Sequence, residues 1–181
     1  SLAALAAVIT LLLSLLFAYG KRLRPGSVVQ APVRLAALGY AVPGTVIAIG
    51  VMIPLAYLDG RIDAAAEQWF GARTGLVFSG TLFALLLAYS VRFLAISLHS
   101  IETGLGRIKP SMDNAAQSLG LTPLQALLRV HVPLLRPSVL AALLLVFVDV
   151  LKELPATLIL RPFNFNTLAV RTYELASDER L

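Results

Sequence analysis

Apolar stretches close to twenty residues long recur along the whole chain. Each matches what a helix rising about 1.5 Å per residue needs to cross a hydrocarbon core about 30 Å thick. They can be drawn at about Leu2 to Gly20, Leu35 to Leu58, Leu76 to Leu98 and Ser138 to Leu160. Lipid offers no water to satisfy backbone N–H and C=O groups, so segments of this length must close their hydrogen bonds internally as helices. The expected fold class is therefore all-α, a polytopic transmembrane helical bundle. Composition agrees: of 181 residues 58% are hydrophobic and 14% charged, where a soluble domain carries about 25% charged residues.

A formal net charge of +5 could point to nucleic acid, but the Lys and Arg residues fall in short connections between apolar stretches, which is a pattern of membrane orientation. No nucleic-acid partner is expected. The first connection holds Lys21, Arg22, Arg24 and Arg34 without an acid; the second sets Asp59, Asp63 and Glu67 against Arg61 and Arg73. By the positive-inside rule the first is cytoplasmic and the second external. The connection 99–137, with Arg107, Lys109, Arg129 and Arg136, is then cytoplasmic and the tail 161–181 external. In that tail Arg161, Arg171 and Arg180 balance Glu174, Asp178 and Glu179. The chain has no initiating Met and stops after a polar stretch, and it reads as a single-domain fragment, residues 1–181, of a longer membrane protein. The segment Leu2 to Gly20 lacks a basic region before it and a cleavage site after it, so it reads as a span and not a signal peptide. Trp69, Phe70 and Phe78 have the character of interfacial anchors.

The cytoplasmic connection contains more than a loop needs. Ser111 is positioned to cap a short helix with Asp113 in its first turn, where a negative charge suits the dipole. Gly120 supplies a turn. Thr122 followed by Pro123 is a restart signal, an N-cap with Pro at the first helical position. Leu124, Leu127, Leu128 and His131 then recur at spacings of three and four, and Pro133 is expected to end the helix by restricting the residue before it. The product is a helical elbow, 111–133, suited to docking in a partner's groove.

Within the elbow, Asn114, Ala115 and Ala116 are followed by three residues, Gly120, nine residues, then Val130, one residue, Val132 and Pro133. This resembles the EAA loop of binding-protein-dependent ABC importer permeases, written Glu-Ala-Ala, three residues, Gly, nine residues, Ile, one residue, Leu-Pro. Leu134 to Pro137, Lys152 to Phe163 and Asn166 to Arg171 look like the ferric-iron branch of these permeases, C-terminal half. The resemblance implies a type I importer bundle whose elbow is a coupling helix hairpin seated on a separate cytoplasmic ABC ATP-binding subunit. It implies Asn114, Ala115, Ala116, Gly120, Leu124, Leu127, Val130 and Pro133 as the coupling residues. It further implies an external substrate-binding protein, a second permease half, membrane lipid, and multi-pass residence in a bacterial inner membrane. The implied function is transport without an enzymatic activity of its own and without a cofactor. Sulfate, polyamine and thiamine permeases share the elbow, so iron is selected only by the resemblance around Lys152 to Phe163. Asn114 replaces the usual Glu, which shifts the expected contact from a salt link toward shape and apolar docking.

Ionisable groups inside a membrane span are functional candidates by default. Asp149, Lys152 and Glu153 lie at spacings of three and four and would share one helix face. Asp149 would sit about 16 Å along the helix from Ser138, near the bilayer centre. Two readings stand: a wet, charged lining of the translocation path closed externally where Pro155 breaks the helix, or an internally neutralised structural cluster. Two carboxylates beside a lysine make a poor metal cage, and no metal site is expected. Pro43-Gly44 and Pro54 interrupt the second stretch, as ordinary packing or as a broken helix. Arg92 is placed near enough to the cytoplasmic end to snorkel. No P-loop occurs and no cysteine is present, which leaves ATP hydrolysis to another chain. A gradient-driven carrier, or an intramembrane enzyme using Asp149 and Glu153 as acid and base, are the competing classes; neither accounts for the elbow.

Overall fold

The first helix, α1 (Leu2–Leu23), has a stripe of small side chains, and that stripe is its buried face: Ala3, Ala6, Ala7, Thr10, Ser14 and Ala18 face inward. Leu5, Leu12 and Leu16 face outward. Lipid is as apolar as leucine, so helices here associate by close approach and hydrogen bonding, which small residues permit. Ser14 Oγ meets Ser97 Oγ at 2.7 Å and so ties α1 to α3 (Leu82–Gly106). The central element is α3, packed against α1, against α2 (Gly44–Phe70) and against α6 (Arg136–Leu151), with Leu85, Tyr89, Phe93, Leu98 and Ile101 wholly buried. The computed structural model describes residues 1–23, 36 and 38–178. The readings that involve Arg24, Arg34, Leu35, Glu179, Arg180 and Leu181 lie outside the described residues.

Helix α2 (Gly44–Phe70) departs from the expected second stretch at both ends. It begins at Gly44 because Ala41 to Pro43 bend away, with Pro43 in extended backbone as N-cap. The broken-helix reading of Pro43-Gly44 therefore holds, while Pro54 sits inside a continuous helix. At the other end α2 runs past Leu58, so Asp59, Arg61, Asp63 and Glu67 lie on a helix and not in a loop. The reason is visible in the following loop. Asp59, 1% exposed, accepts N–H bonds from Val77, Phe78 and Ser79 at 3.1, 2.8 and 2.8 Å. Asp63, one turn on, accepts from Thr74 and Gly75. A spacing of four puts both carboxylates on one face, where they satisfy backbone donors that would otherwise be orphaned. These loop bonds also move the start of α3 from the expected Leu76 to Leu82. Asp59→Ala is expected to release residues 71–81, measured as cleavage of that loop by limited proteolysis several-fold faster than in the unaltered chain, with α1 and α3 unaffected. Trp69 and Phe70 at the end of α2 are highly exposed and Phe78 is half-buried.

The remaining elements are α4 (Pro110–Ser118), α5 (Pro123–Leu134), α6 (Arg136–Leu151), α7 (Pro155–Leu160) and α8 (Leu168–Ser177). The fourth apolar stretch is thus not one helix. It stops at Leu151, and Lys152 to Leu154 form a break before Pro155 starts α7. Pro155 suits a first helical turn, where its missing N–H forfeits no intrahelical bond, so it restarts the chain and does not end it. Among the described residues three helices, α1 to α3, are long and apolar enough to cross a membrane, and the pair α5 and α6, bent by 78°, passes the same test only when taken as one span. No strand occurs among the described residues, and the protein is an all-helical membrane bundle. The ends of α1 and α3 meet the elbow on one side. Residues 165–168 lie beside the start of α1 on the opposite side.

Candidate functional site

The elbow is built from local signals. Lys109 precedes α4 with Pro110 at the first position, so Ser111 lies inside the helix and caps nothing; the cap expected at Ser111 is replaced by the proline start. After Ser118 the chain turns through Gly120 at φ +75°. Leu121 N–H bonds to Ala116 O and Gly120 N–H to Gln117 O, the paired bonds of a Schellman ending, which needs a left-handed residue at this place. Thr122 then forms a reciprocal capping box with Gln125, and Pro123 opens α5.

Two expectations for α5 are corrected. Pro133 does not end the helix, which runs to Leu134 and turns only at Leu135, bending by 78° into α6. The cause is a π-helical turn at Leu127–His131, where Val132 N–H reaches back to Leu127 O. Widening the ladder by one residue re-registers the carbonyl that a proline ring would otherwise strike. Nor do Leu124, Leu127, Leu128 and His131 share one docking face. His131 is wholly buried. Leu127 is half-buried in a groove against Leu16, Tyr19, Gly20 and Leu23 of α1, and Leu124 forms the open rim of that groove. Leu124 and Leu128 are 63% and 58% exposed. The added π-turn residue rotates the two halves of the arm relative to each other.

Of the other coupling candidates, Asn114, Ala115, Gly120 and Pro133 are exposed, Val130 is intermediate, and Ala116 is buried against the bundle. Leu119, at the turn between the two arms, is also highly exposed, at 80%. Its signal was available as the residue before the turn glycine.

The elbow's inner face carries groups that the motif does not identify. Arg22 Nε and Nη2 bond to Asp113 Oδ2 at 2.9 and 2.7 Å. Its Nη1 and Nη2 also bond to Leu105 O at 2.6 Å and Ile108 O at 2.8 Å. His131 Nε2 lies 2.8 Å from Asp113 Oδ1, off the line of the ring N–H, so the contact is close but not a directed hydrogen bond. Burial pushes the His131 imidazole below its ordinary range; the Asp113 charge opposes this and Arg22 adds to it. Tyr19 Oη donates to Pro123 O at 2.8 Å. Lys21 pairs with Glu102 at the rim. Sequence spacing could not reveal the contacts made by α1, whose partners are 81 to 104 residues away.

The intramembrane charges divide into two pairs. Asp149 and Lys152 meet at 2.7 Å, the Asp149 side chain 12% exposed and Lys152 mostly exposed beside a groove lined by Leu151, Leu154, Leu168 and Tyr173. Glu153 points the other way, and this corrects the shared helix face. Helix α6 ends before Glu153, so the spacing of four from Asp149 no longer sets direction. Glu153 is buried, 3.1 Å from Arg92, and it also accepts the Ala156 N–H at the start of α7. Arg92 lies near the middle of α3 and does not snorkel: it bonds to Val42 O at 3.2 Å and stands over the Phe93 ring. Gly44 is the third partner, because a Cβ there would collide with Glu153 Oε1 and the Arg92 guanidinium. The pair therefore bridges two broken helices, at Ala41 to Pro43 and at Lys152 to Leu154. Pro155 is exposed at the second break, and Thr157 behind it bonds to Tyr89 Oη at 2.6 Å. No cluster of metal-ligating side chains occurs among the described residues.

Residues 10–173 match the family described as binding-protein-dependent transport system inner membrane component. The Fe(3+)-transport system permease protein FbpB 2 of Haemophilus influenzae is 29% identical over 145 residues, 80% of this chain and 26% of that protein. The putative 2-aminoethylphosphonate transport system permease protein PhnV of Salmonella typhimurium is 30% identical over 135 residues, 75% of this chain and 45% of that protein. The molybdenum transport system permease protein ModB of Haemophilus influenzae is 30% identical over 140 residues, 77% of this chain and 56% of that protein. The chain thus spans between 26% and 56% of the length of these relatives.

Proposed function

We infer the role of this chain from its kinship: it belongs to the family of binding-protein-dependent transport system inner membrane components. We propose that it forms part of the translocation path of an ATP-driven importer in a bacterial inner membrane. A separate ATP-binding subunit docks on the elbow, an external binding protein delivers substrate, and a second permease half completes the path. The observation that carries this reading is the outward face of the elbow. Leu119, Leu124 and Leu128 are exposed on an elbow that Tyr19 and Arg22 hold to the bundle, and exposed apolar side chains on a held helical elbow suit a groove on a partner.

Ferric iron is the substrate we assign, from the Fe(3+) and ferric permeases among the relatives together with the stretch Lys152 to Phe163. The pair Asp149 and Lys152 is our candidate for the path lining. Glu153 and Arg92 are assigned to holding the broken helices. A gradient-driven carrier needs a carboxylate free to take up a proton, and here Asp149 and Glu153 each hold a cation.

The test is uptake by the complete transporter in proteoliposomes. Ferric iron delivered by the binding protein should accumulate only with ATP, and excess 2-aminoethylphosphonate or molybdate should leave uptake unchanged. Accumulation without ATP would reject the ATP-driven reading; competition by either anion would reject the iron assignment. Gly120→Val forces a β-branched residue into left-handed backbone at a cost of about 1–2 kcal/mol. It is expected to lower ATPase association and uptake by roughly five- to thirtyfold while membrane insertion, followed by fractionation, stays intact.

A further inference from the structure

By sequence Arg22 is one of four loop cations; in the fold it joins three elements. Its guanidinium holds the Leu105 carbonyl in the last turn of α3, the Ile108 carbonyl in the connection that follows and the Asp113 carboxylate in the first turn of α4. His131 of α5 covers the other Asp113 oxygen, 2.8 Å away. Tyr19, three residues before Arg22 and so on the same face of α1, binds the first residue of α5 through Pro123 O. The Arg22 and Asp113 side chains are 18% and 25% exposed, so water screens this network less than an ordinary surface pair. The connections on either side of the elbow are short, Arg107 to Lys109 before it and Leu135 after it. Helix α1, in contrast, is remote from the elbow in sequence and meets it through these side chains and the groove beside Leu127.

We propose that Arg22, with Asp113 and His131, is a clamp that makes the elbow, the cytoplasmic end of α1 and the end of α3 move as one body. A displacement of the elbow then reaches two spans at once and is not absorbed at the joints. This rests on the reading of the elbow as the ATPase dock. Arg22 is a positioning residue: it stands apart from the outward face of Leu119, Leu124 and Leu128 and acts through the arm that presents it. The arginine is specific to the task, because five donors in a planar fork can serve two carbonyls and a carboxylate together, which a lysine ammonium cannot.

The experiment compares variants of the complete transporter, with its ATPase subunits, in proteoliposomes. Arg22→Gln and Asp113→Asn should retain bound ATPase and ATP hydrolysis while substrate moved per ATP falls about tenfold or more, the scale of a lost coupling free energy. Arg22→Lys should recover part of the ratio. The exchange Arg22→Asp with Asp113→Arg should not recover it, since a carboxylate at position 22 repels the two carbonyls. Tyr19→Phe removes one hydroxyl from the network and should lower the ratio several-fold without a change in expression, which keeps the test open if Arg22→Gln folds poorly. An unchanged transport-to-hydrolysis ratio in both Arg22→Gln and Tyr19→Phe overturns the clamp, and so does recovery by the charge exchange. Leu124→Asp serves as the separate control on the dock: normal ATPase binding in that variant would count against the docking reading itself, whatever the Arg22 variants do.

Discussion

Arg92→Met alone is expected to destabilise the bundle by about 3–5 kcal/mol, the usual cost of leaving one member of a buried ion pair without its partner. Thermal unfolding in detergent would read it as a large fall in the midpoint. The pair is the reason for the size of the effect: Glu153 has a 7% exposed side chain and Arg92 a 17% exposed one, and they meet at 3.1 Å where two helices are broken. Glu153→Leu should cost a similar amount. The double variant, Arg92→Met with Glu153→Leu, should recover most of the loss, because replacing a buried pair by apolar groups of similar volume is often neutral. Recovery should stop about 1 kcal/mol short, since Glu153 also accepts the Ala156 N–H at the start of α7 and that cap is gone in the double variant. Unchanged stability in both single variants would show that the pair holds nothing together.

Leu124→Asp should weaken ATPase association by about thirty- to a thousandfold, which corresponds to roughly 2–4 kcal/mol for placing an unpaired carboxylate at an apolar contact. Binding of purified ATPase to the permease in nanodiscs measures it. Asn114→Ala, on the same arm, should stay within about threefold, as for an exposed position away from a buried network. Leu127→Asp is expected to act differently from Leu124→Asp. Leu127 is half-buried in the groove against α1, so a charge there loosens the seat of the elbow and lowers stability as well as association. Equal loss of binding in the Asn114 and Leu124 variants would place the contact on the start of α4 and not on the apolar face.

The legible parts of this protein are those set by neighbours within one turn or by length. The helical class followed from apolar stretches long enough to span. The turn at Gly120 and the restart at Thr122-Pro123 followed from a left-handed position and a cap, both local. The expected end at Pro133 failed for an equally local reason, since a π-turn of five residues, Leu127–His131, can absorb a proline, and no composition rule announces it. Spacing also misled at Asp149, Lys152 and Glu153. A rule of three and four holds only while the helix continues, and α6 stops at Leu151.

What the sequence by itself determined was therefore the bundle and an elbow with a hinge and a cap. What only the tertiary structure decided was the pairing of the charges. Arg92 with Glu153 and Arg22 with Asp113 join residues far apart in the chain, and no periodicity links them. Each cation found its partner because packing of small residues along α1 and α3 brought broken helix ends and carboxylates to the same depth, where low dielectric leaves an unpaired charge too costly to persist.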